Sequence, residues 1–267
     1  MPVLDERYDL GERIAAGGAA VVYHGRDRLL GRDVAIKVLG EGTGLGHDVE
    51  RFLQEIRVLE RLQHPHIVPI LGSGATSDGL FYVMPLARGG TLATRLASAG
   101  ALPLESGRQL ARELAGALAH AHESGVVHRD VKPSNVLISS DHHWLADFGI
   151  VRFLQDTSAA RFTPSGITLG SPEYMSPEQI LGQTNIDART DVYSLGLVIY
   201  ECLAGVHAFP ARTPESSARL RLAIDPVPLR AHRPDVDGRL EHAVMRALRP
   251  EPEDRWPEGR ELLLALS

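Results

Sequence analysis

The order of strand-like and helix-like segments is the feature that most limits the folds open to this chain. Several short runs in the first third carry β-branched and aromatic residues between turn residues: 8–17, 19–28, 32–39, 64–74 and 79–86. Such runs predict antiparallel strands that follow one another along the chain. Beyond about residue 90, apolar residues recur at helical spacing instead. Strands followed by helices favour an α+β fold, and the change of pattern places the boundary near residues 87–90.

Two helices are predicted from periodicity. Apolar residues share one face in each: Phe52, Ile56, Leu59 and Leu62 in the first, and Leu110, Leu114, Leu118 and Ala121 in the second. The second helix is expected to stop at Gly125, and Thr91 is a candidate N-cap for a helix that begins just after it.

Composition excludes several classes of protein. The 267 residues carry a net charge of −6, which argues against nucleic acid as a partner. Cys202 is the single cysteine, so no disulfide forms within the chain and a reducing compartment fits. The N-terminus lacks the apolar region of a signal peptide. The longest apolar run, 195–205, is too short to cross a bilayer and predicts a buried helix, so no membrane contact is expected within this chain.

A short segment concentrates the polar residues that could carry chemistry. Residues 126–138 read VVHRDVKPSNVLI and include His128, Asp130, Lys132 and Asn135. Twelve residues after Asn135 comes Asp147, in LADFGI, and far upstream Lys37 stands in the apolar run VAIK.

These motifs, in this order and spacing, resemble the protein kinases. The similarity is greatest to the bacterial eukaryotic-like (Hanks-type) serine/threonine kinases, through residues 51–68, HRDVKPSN, DFGI, YMSPEQ and DVYSLG. It runs from about residue 8 to residue 260. The resemblance implies one catalytic domain with a two-lobed α+β kinase fold. Residues 1–87 would form a five-stranded N-lobe with one main helix, and residues 88–267 a mainly helical C-lobe. The implied activity is transfer of the ATP γ-phosphate to Ser/Thr hydroxyls of proteins.

The resemblance also assigns catalytic roles. Asp130 would be the base that orients the substrate hydroxyl and accepts its proton, and Lys132 would steady the transferring phosphate. Asn135 and Asp147 offer hard oxygen atoms that suit Mg²⁺, with Mn²⁺ as a substitute.

Lys37 is expected to need a carboxylate partner, because a lysine that points inward from a strand is costly without one. The family pattern indicates Glu55 on the following helix. The alternative is that Glu50, Glu55 and Glu60 are all charges on a solvated helix face.

The adenine of ATP is expected in an apolar slot with a few backbone hydrogen bonds. Motif alignment assigns the slot to Ile14, Val22, Ala35, Leu137 and the gatekeeper Met84, with the hinge at Leu86 and Ala87. Pro85 has no backbone N–H, so the hinge donor is expected from Leu86 or Ala87.

The segment around Ala15, Ala16, Gly17 and Gly18 is predicted to be the nucleotide loop, because it lies between two strands ahead of VAIK. Glycine suits such a loop, since side chains block backbone N–H groups from the phosphates. Alanine at positions 15 and 20, where the family pattern has glycine, predicts a stiffer lid that still functions.

The resemblance places an activation segment between Asp147 and Glu178. Its phosphorylation candidates are Thr163, Ser165 and Thr168, with Arg129 as the partner of the phosphate. Ser171 stands where the family has a hydroxyl in the substrate pocket. We expect autophosphorylation in trans through a transient dimer.

Other motif residues are expected to build the scaffold. Glu178 should pair with Arg255, and Asp191 should accept backbone N–H groups of the catalytic loop. Leu59, Phe148 and His128 should pack in a column between the lobes. Cys202 is expected to be buried and unreactive.

Two other classes of function compete with the kinase. A pseudokinase that serves as a binding scaffold would be favoured by loss of Lys37, Asp130 or Asp147, and none is lost. A small-molecule phosphotransferase would not need the peptide-docking segment SPEYMSPE. Family members often continue into a membrane span and a sensor domain, so we expect a cytoplasmic kinase or the cytoplasmic domain of a membrane-anchored receptor.

Overall fold

The computed structural model describes residues 3–16, 20–39, 49–76, 79–139, 142–148 and 172–267. Its first lobe is an antiparallel sheet with the strands β1 Val3–Leu4, β2 Tyr8–Ala16, β3 Ala20–Asp27, β4 Arg32–Leu39, β5 Gly72–Thr76 and β6 Gly79–Pro85. The strands lie in the order β1-β2-β3-β4-β6-β5. A five-stranded sheet was expected, and the short β1 adds a sixth strand at its edge. The two-lobed fold predicted from the sequence is confirmed.

One face of this sheet packs against the helix α1, Val49–Leu59. Strand alternation sends Ala35, Leu80, Tyr82 and Met84 to this face, where they join Phe52 of α1 in the main core. The opposite face buries a smaller cluster: Tyr8, Val34, Ile36, Val38, Phe81 and Val83. Because Lys37 lies opposite Tyr82 in the β4–β6 pairing, these two side chains start from neighbouring positions in the sheet.

The second lobe is mainly helical. Its helices are α2 Leu92–Ala99, α3 Leu104–Glu123, α4 Pro177–Ile180, α5 Ala188–Ala204, α6 Pro214–Arg221, α7 Leu229–His232, α8 Gly238–Ala247 and α9 Gly259–Leu266. Strands β7 Val136–Ser139 and β8 His142–Leu145 form a hairpin that carries the site. Single-turn 3₁₀ helices lie at Pro133–Asn135, Pro172–Tyr174 and Pro252–Asp254.

The helices begin and pack as their sequences predict. Thr91 caps α2, accepting a hydrogen bond from the backbone N–H of Thr94. The apolar stripe of α3 is fully buried against α5 and α9. Helix α5 contains all of the apolar run noted above except Gly205, its C-cap. It is buried on nearly every side, which explains why it carries apolar residues all round. None of the helices in the described part of the chain is long and apolar enough to span a bilayer.

Residues 64–71 differ from the strand that was expected there. Only Ile67 forms a β-bridge, a parallel one to Leu145 of β8, and Leu145 also donates to the carbonyl of His66. Pro65 and Pro69 have no backbone N–H and cannot sustain a regular ladder. The segment instead runs from the first lobe along the hairpin of the second, which ties the two lobes together.

Candidate active site

Asp130 lies in the loop between α3 and β7, with two donors on its carboxylate. The ammonium of Lys132 lies 2.8 Å from Oδ2, and the amide of Asn135 donates to the same oxygen at 3.0 Å. Asn135 also donates to the Asp130 carbonyl at 2.8 Å. The side chains of Asp130 and Lys132 are 19% and 15% exposed, so the carboxylate is held in place and still reachable. The sequence placed these three residues in one segment, and the structure brings their functional groups together.

Asp191 anchors this loop from the first turn of α5. Its two carboxylate oxygens accept the backbone N–H groups of His128 and Arg129, each at 2.7 Å, as expected. His122 was not anticipated. Its Nδ1 accepts the N–H of Gly259, so its Nε2 carries the proton and donates to Asp191 at 3.0 Å. A buried carboxylate thus has three donors, and the last helix of the chain is linked to the catalytic loop.

Asp147 joins the two lobes at the site. Its backbone is left-handed, with φ of 68°, and its Oδ2 lies 2.6 Å from the ammonium of Lys37 on β4. Its Oδ1 accepts a hydrogen bond from the hydroxyl of Tyr82 on β6 at 2.5 Å. One carboxylate of the second lobe therefore receives two donors from adjacent strands of the first.

The expected ion pair between Lys37 and Glu55 is not formed. Among the ion pairs of the described residues, Lys37 is paired with Asp147, while Glu55 lies half-buried on α1. The reason for expecting a partner still holds, because a mostly buried ammonium needs a carboxylate. That need is met by Asp147, which reaches the lysine from the other lobe.

The electrostatics of this trio keep the carboxylate ionised. Burial raises the pKa of Asp147, but the charge of Lys37 and hydrogen bonds from Lys37 and Tyr82 lower it by more, so the pKa lies below the usual 3.8. Burial and the adjacent carboxylate raise the pKa of the Tyr82 phenol well above 10. At neutral pH the site therefore holds an anionic carboxylate, with Tyr82 as a neutral donor.

Behind Asp147 the expected packed column is present. The rings of His128 and Phe148 have centroids 4.5 Å apart, and Leu59 and Phe148 line the same small cavity. Nδ1 of His128 accepts the N–H of Asp130, so Nε2 donates to the carbonyl of Ala146 at 2.8 Å. The histidine is fully buried and serves as structural support for the loop on either side of it.

The residues assigned to the adenine slot lie on neighbouring elements. Val22, Ala35 and Met84 stand on β3, β4 and β6, and each packs toward the main core. Ile14 on β2 is 51% exposed, and Leu137 lies on β7 of the second lobe. Strand β6 ends at Pro85, and among the described residues neither Leu86 nor Ala87 donates a backbone hydrogen bond.

Several predicted site residues cannot be placed. Gly17 and Gly18 of the nucleotide loop lie outside the described residues, although Ala15 and Ala16 end β2, and Ala20 begins β3. The phosphorylation candidates Thr163, Ser165 and Thr168 and the pocket residue Ser171 also lie outside them. Their roles remain predictions.

The scaffold pair Glu178–Arg255 is confirmed. The two terminal guanidinium nitrogens of Arg255 donate to different carboxylate oxygens of Glu178, each at 2.8 Å. Both side chains are almost completely buried. Gln179, next to Glu178, donates to the carbonyl of Arg129 at 2.8 Å and so connects α4 to the catalytic loop. Cys202 is buried as expected, and burial raises the pKa of its thiol.

Tyr82, like His122, is a residue of the site that sequence reasoning missed. The signal was present, because alternation along GLFYVMPL puts Tyr82 on the same inward face as Leu80 and Met84. A buried tyrosine hydroxyl usually has a hydrogen-bond partner, and the carboxylates of the site were candidates.

The donor set fits a nucleotide with a divalent cation. Asp147 has a carboxylate and Asn135 an amide oxygen, both hard ligands of the kind that such cations prefer. Asn135 uses its amide nitrogen toward Asp130, so its oxygen is directed elsewhere. Lys37 supplies the positive charge suited to phosphate.

Comparison with known proteins identifies the class. The protein kinase domain family matches residues 8–256, which is nearly the whole chain. The chain belongs to the protein kinase family. It retains Lys37, Asp130 and Asp147, whose loss would have favoured a pseudokinase.

Its relatives narrow the class to bacterial serine/threonine kinases. The chain is 39% identical over 259 residues to the serine/threonine-protein kinase PknL of Mycobacterium tuberculosis, covering 96% of this chain and 64% of the relative. It is 36% identical to PknB of Mycobacterium leprae, covering 98% and 42%. The resemblance to the bacterial Hanks-type serine/threonine kinases, predicted from the motifs, is confirmed. The chain spans less than two thirds of the length of these relatives.

A solved structure supports the fold independently. The crystal structure of Rad53 in complex with AMP-PNP has a TM-score of 0.77 and 25% identity, covering 94% of this chain and 62% of that one.

Proposed function

We propose that this domain transfers the γ-phosphate of ATP, with Mg²⁺, to Ser/Thr hydroxyls of proteins. The catalytic and metal-binding roles predicted above are proposed for Lys37, Asp130, Lys132, Asn135 and Asp147. The observation that carries the proposal is the Asp130 carboxylate, which Lys132 and Asn135 hold in place at a partly exposed position. A carboxylate fixed in this way suits a base that must align with an incoming hydroxyl.

Asp130 orients the substrate hydroxyl and takes its proton as the bond from that oxygen to the γ-phosphorus forms. The bond from the γ-phosphorus to the bridging oxygen of ATP breaks, and ADP leaves with that oxygen. Lys132, whose ammonium lies beside the same carboxylate, adds positive charge where the phosphate passes to the substrate. Because phosphoryl transfer depends mainly on positioning and charge neutralisation, these fixed groups supply much of what the reaction needs.

Lys37 and Asp147 handle the charged end of the nucleotide. Lys37 would bind phosphate oxygens, and Asp147 and Asn135 would hold the divalent cation through their oxygens. When bound, that cation neutralises negative charge on the transferring group. The pair at 2.6 Å holds both side chains in orientations suited to these contacts.

The adenine fits between the apolar residues of the sheet and Leu137. Its polar edge is left to the N–H groups of Leu86 and Ala87, which follow the strand end at Pro85. The predicted phosphate contacts come from the loop that joins β2 and β3.

We further propose that the domain phosphorylates itself in trans, through a transient dimer, at Thr163, Ser165 or Thr168. Arg129 stands directly before Asp130, so a phosphate that binds this arginine would order the segment next to the catalytic base. We also propose a cytoplasmic location, because the cytoplasm supplies ATP and keeps a cysteine such as Cys202 reduced.

The test is phosphosite mapping by mass spectrometry after incubation with ATP and Mg²⁺. Wild type should gain phosphate within residues 157–171, and Asp147→Asn should gain none, because it lacks the metal-binding carboxylate. Asp235→Asn, a change at an exposed carboxylate, is the control and should match wild type. Full labelling of Asp147→Asn would contradict the assigned role, and absence of labelling in wild type would contradict autophosphorylation.

A further inference from the structure

Tyr82 brings a hydroxyl group to a carboxylate 65 residues away in the sequence. The strand pairing places Tyr82 on β6 beside Lys37 on β4. Their polar ends then meet different oxygens of Asp147: the hydroxyl at Oδ1, 2.5 Å away, and the ammonium at Oδ2, 2.6 Å away. Both oxygens of the predicted metal ligand are therefore oriented by the first lobe.

Burial alone does not account for this contact. Tyr8, in the same sheet, is 2% exposed, and Tyr82 is 3% exposed. The Tyr8 hydroxyl has no hydrogen-bond partner among the described residues. This sheet therefore accommodates one buried tyrosine hydroxyl without a partner. The hydrogen bond from Tyr82 to Asp147 is thus not a necessary consequence of burying a tyrosine in this sheet.

The contact leaves the carboxylate able to bind a cation. Two carboxylate oxygens offer about four acceptor positions, and Tyr82 and Lys37 use one on each oxygen. Two donors on opposite oxygens also restrict rotation of the carboxylate plane. Hydrogen bonds from residues behind a metal ligand commonly orient it in this way, and their loss typically lowers metal affinity by about 10–100-fold.

We propose that Tyr82 is a positioning residue for metal binding, whose hydroxyl fixes the plane of the Asp147 carboxylate for the divalent cation of the bound nucleotide. The proposal rests on the proposed role of Asp147 as a metal ligand. Strand β6 would then not only form part of the sheet but also orient a metal ligand of the site, through the hydroxyl of Tyr82.

The experiment measures Mn²⁺ binding by electron paramagnetic resonance, with ADP saturating, in wild type and Tyr82→Phe. This substitution removes one oxygen atom and keeps the ring that fills the core. We expect the Kd for Mn²⁺ to rise about 10-fold, at the lower end of the usual range. ADP binding in EDTA should stay within about twofold of wild type, because the hydroxyl acts on the metal ligand. The Mg²⁺ concentration for half-maximal activity should rise in parallel with the Mn²⁺ Kd.

Tyr8→Phe is the matched control, since it removes the same atom from an equally buried tyrosine in the same sheet, and it should bind Mn²⁺ as wild type does. Thermal unfolding of each variant confirms folding, and Tyr82→Leu, which also lacks a donor, should bind Mn²⁺ no better than Tyr82→Phe.

Two results would overturn the proposal: unchanged Mn²⁺ affinity in Tyr82→Phe, or an equal loss of metal-free ADP binding. Asp147→Asn separates this failure from that of the proposed function. If Asp147→Asn loses Mn²⁺ and Tyr82→Phe does not, only the role of Tyr82 is wrong. If Asp147→Asn also binds Mn²⁺ normally, Asp147 is not the metal ligand.

Discussion

Glu178 and Arg255 illustrate at the residue scale how a buried charge depends on its partner. Their side chains are 5% and 0% exposed, and Arg255 also donates to the carbonyls of Arg249, Pro250 and Arg189. Removing one member of such a pair leaves the other charge buried without compensation, which is far more costly than losing an exposed pair.

Arg255→Met should therefore lower the free energy of unfolding by about 3–5 kcal/mol. The double variant Arg255→Met/Glu178→Gln should recover part of that loss, because no uncompensated charge remains. Urea denaturation measures both. Arg28→Met, which breaks an exposed pair with Asp9, is the control and should lower the free energy of unfolding far less. If Arg255→Met and Arg28→Met lowered the free energy of unfolding equally, the buried pair of Glu178 and Arg255 would not be coupled as described.

The same pair should make stability depend on acid. Burial raises the pKa of Glu178, but the hydrogen bonds and charge of Arg255 lower it by more, to below the usual 4.5. The stabilisation is therefore complete above the unfolded-state pKa and is lost as pH falls through the lower folded-state pKa. Unfolding free energy should fall below about pH 4.5 more steeply in wild type than in the double variant. Parallel curves would contradict this assignment.

At the scale of elements, the close packing of α9 on α3 depends on a glycine. A Cβ at Gly259 would lie 2.5 Å from the backbone nitrogen of Ala119 and 2.8 Å from the carbonyl carbon of Leu118. Gly238 occupies the equivalent first position of α8, but a Cβ there would meet nothing within 4 Å.

Gly259→Ala should destabilise the domain by about 1–3 kcal/mol, because a methyl group would push α9 away from the α3 backbone. Gly238→Ala should be neutral or stabilise by up to about 1 kcal/mol, because alanine narrows the unfolded ensemble. Thermal unfolding distinguishes the two substitutions, and equal effects would contradict the packing argument.

The elements were predictable where their signal is local. The cap at Thr91 and the buried stripe of α3 follow from residues a few positions apart. Strand β1 was not predictable in this way, because its two residues are too few to show an alternating pattern. The segment 64–71 was misread as a strand because its apolar residues suit a sheet, while Pro65 and Pro69 limit its pairing.

At the scale of the whole molecule, the site is assembled from both lobes. Motifs in the second lobe located Asp130, Asn135 and Asp147, since their order along the chain carries the information. The partner of Lys37 was misassigned, because the contact with Asp147 depends on how closely the lobes approach each other. The Tyr82 hydroxyl bond has the same origin: it depends on packing between distant segments.

Transfer of labelled γ-phosphate from ATP tests the central claim most directly. With Mg²⁺, wild type should label itself and a generic basic protein on Ser/Thr. The rate of phosphate transfer by Asp130→Asn should be lower by about 10²–10⁴-fold, the range expected for loss of a general base. Its affinity for ADP should stay unchanged. No labelling by wild type with Mg²⁺ or Mn²⁺, or undiminished labelling by Asp130→Asn, would contradict the account.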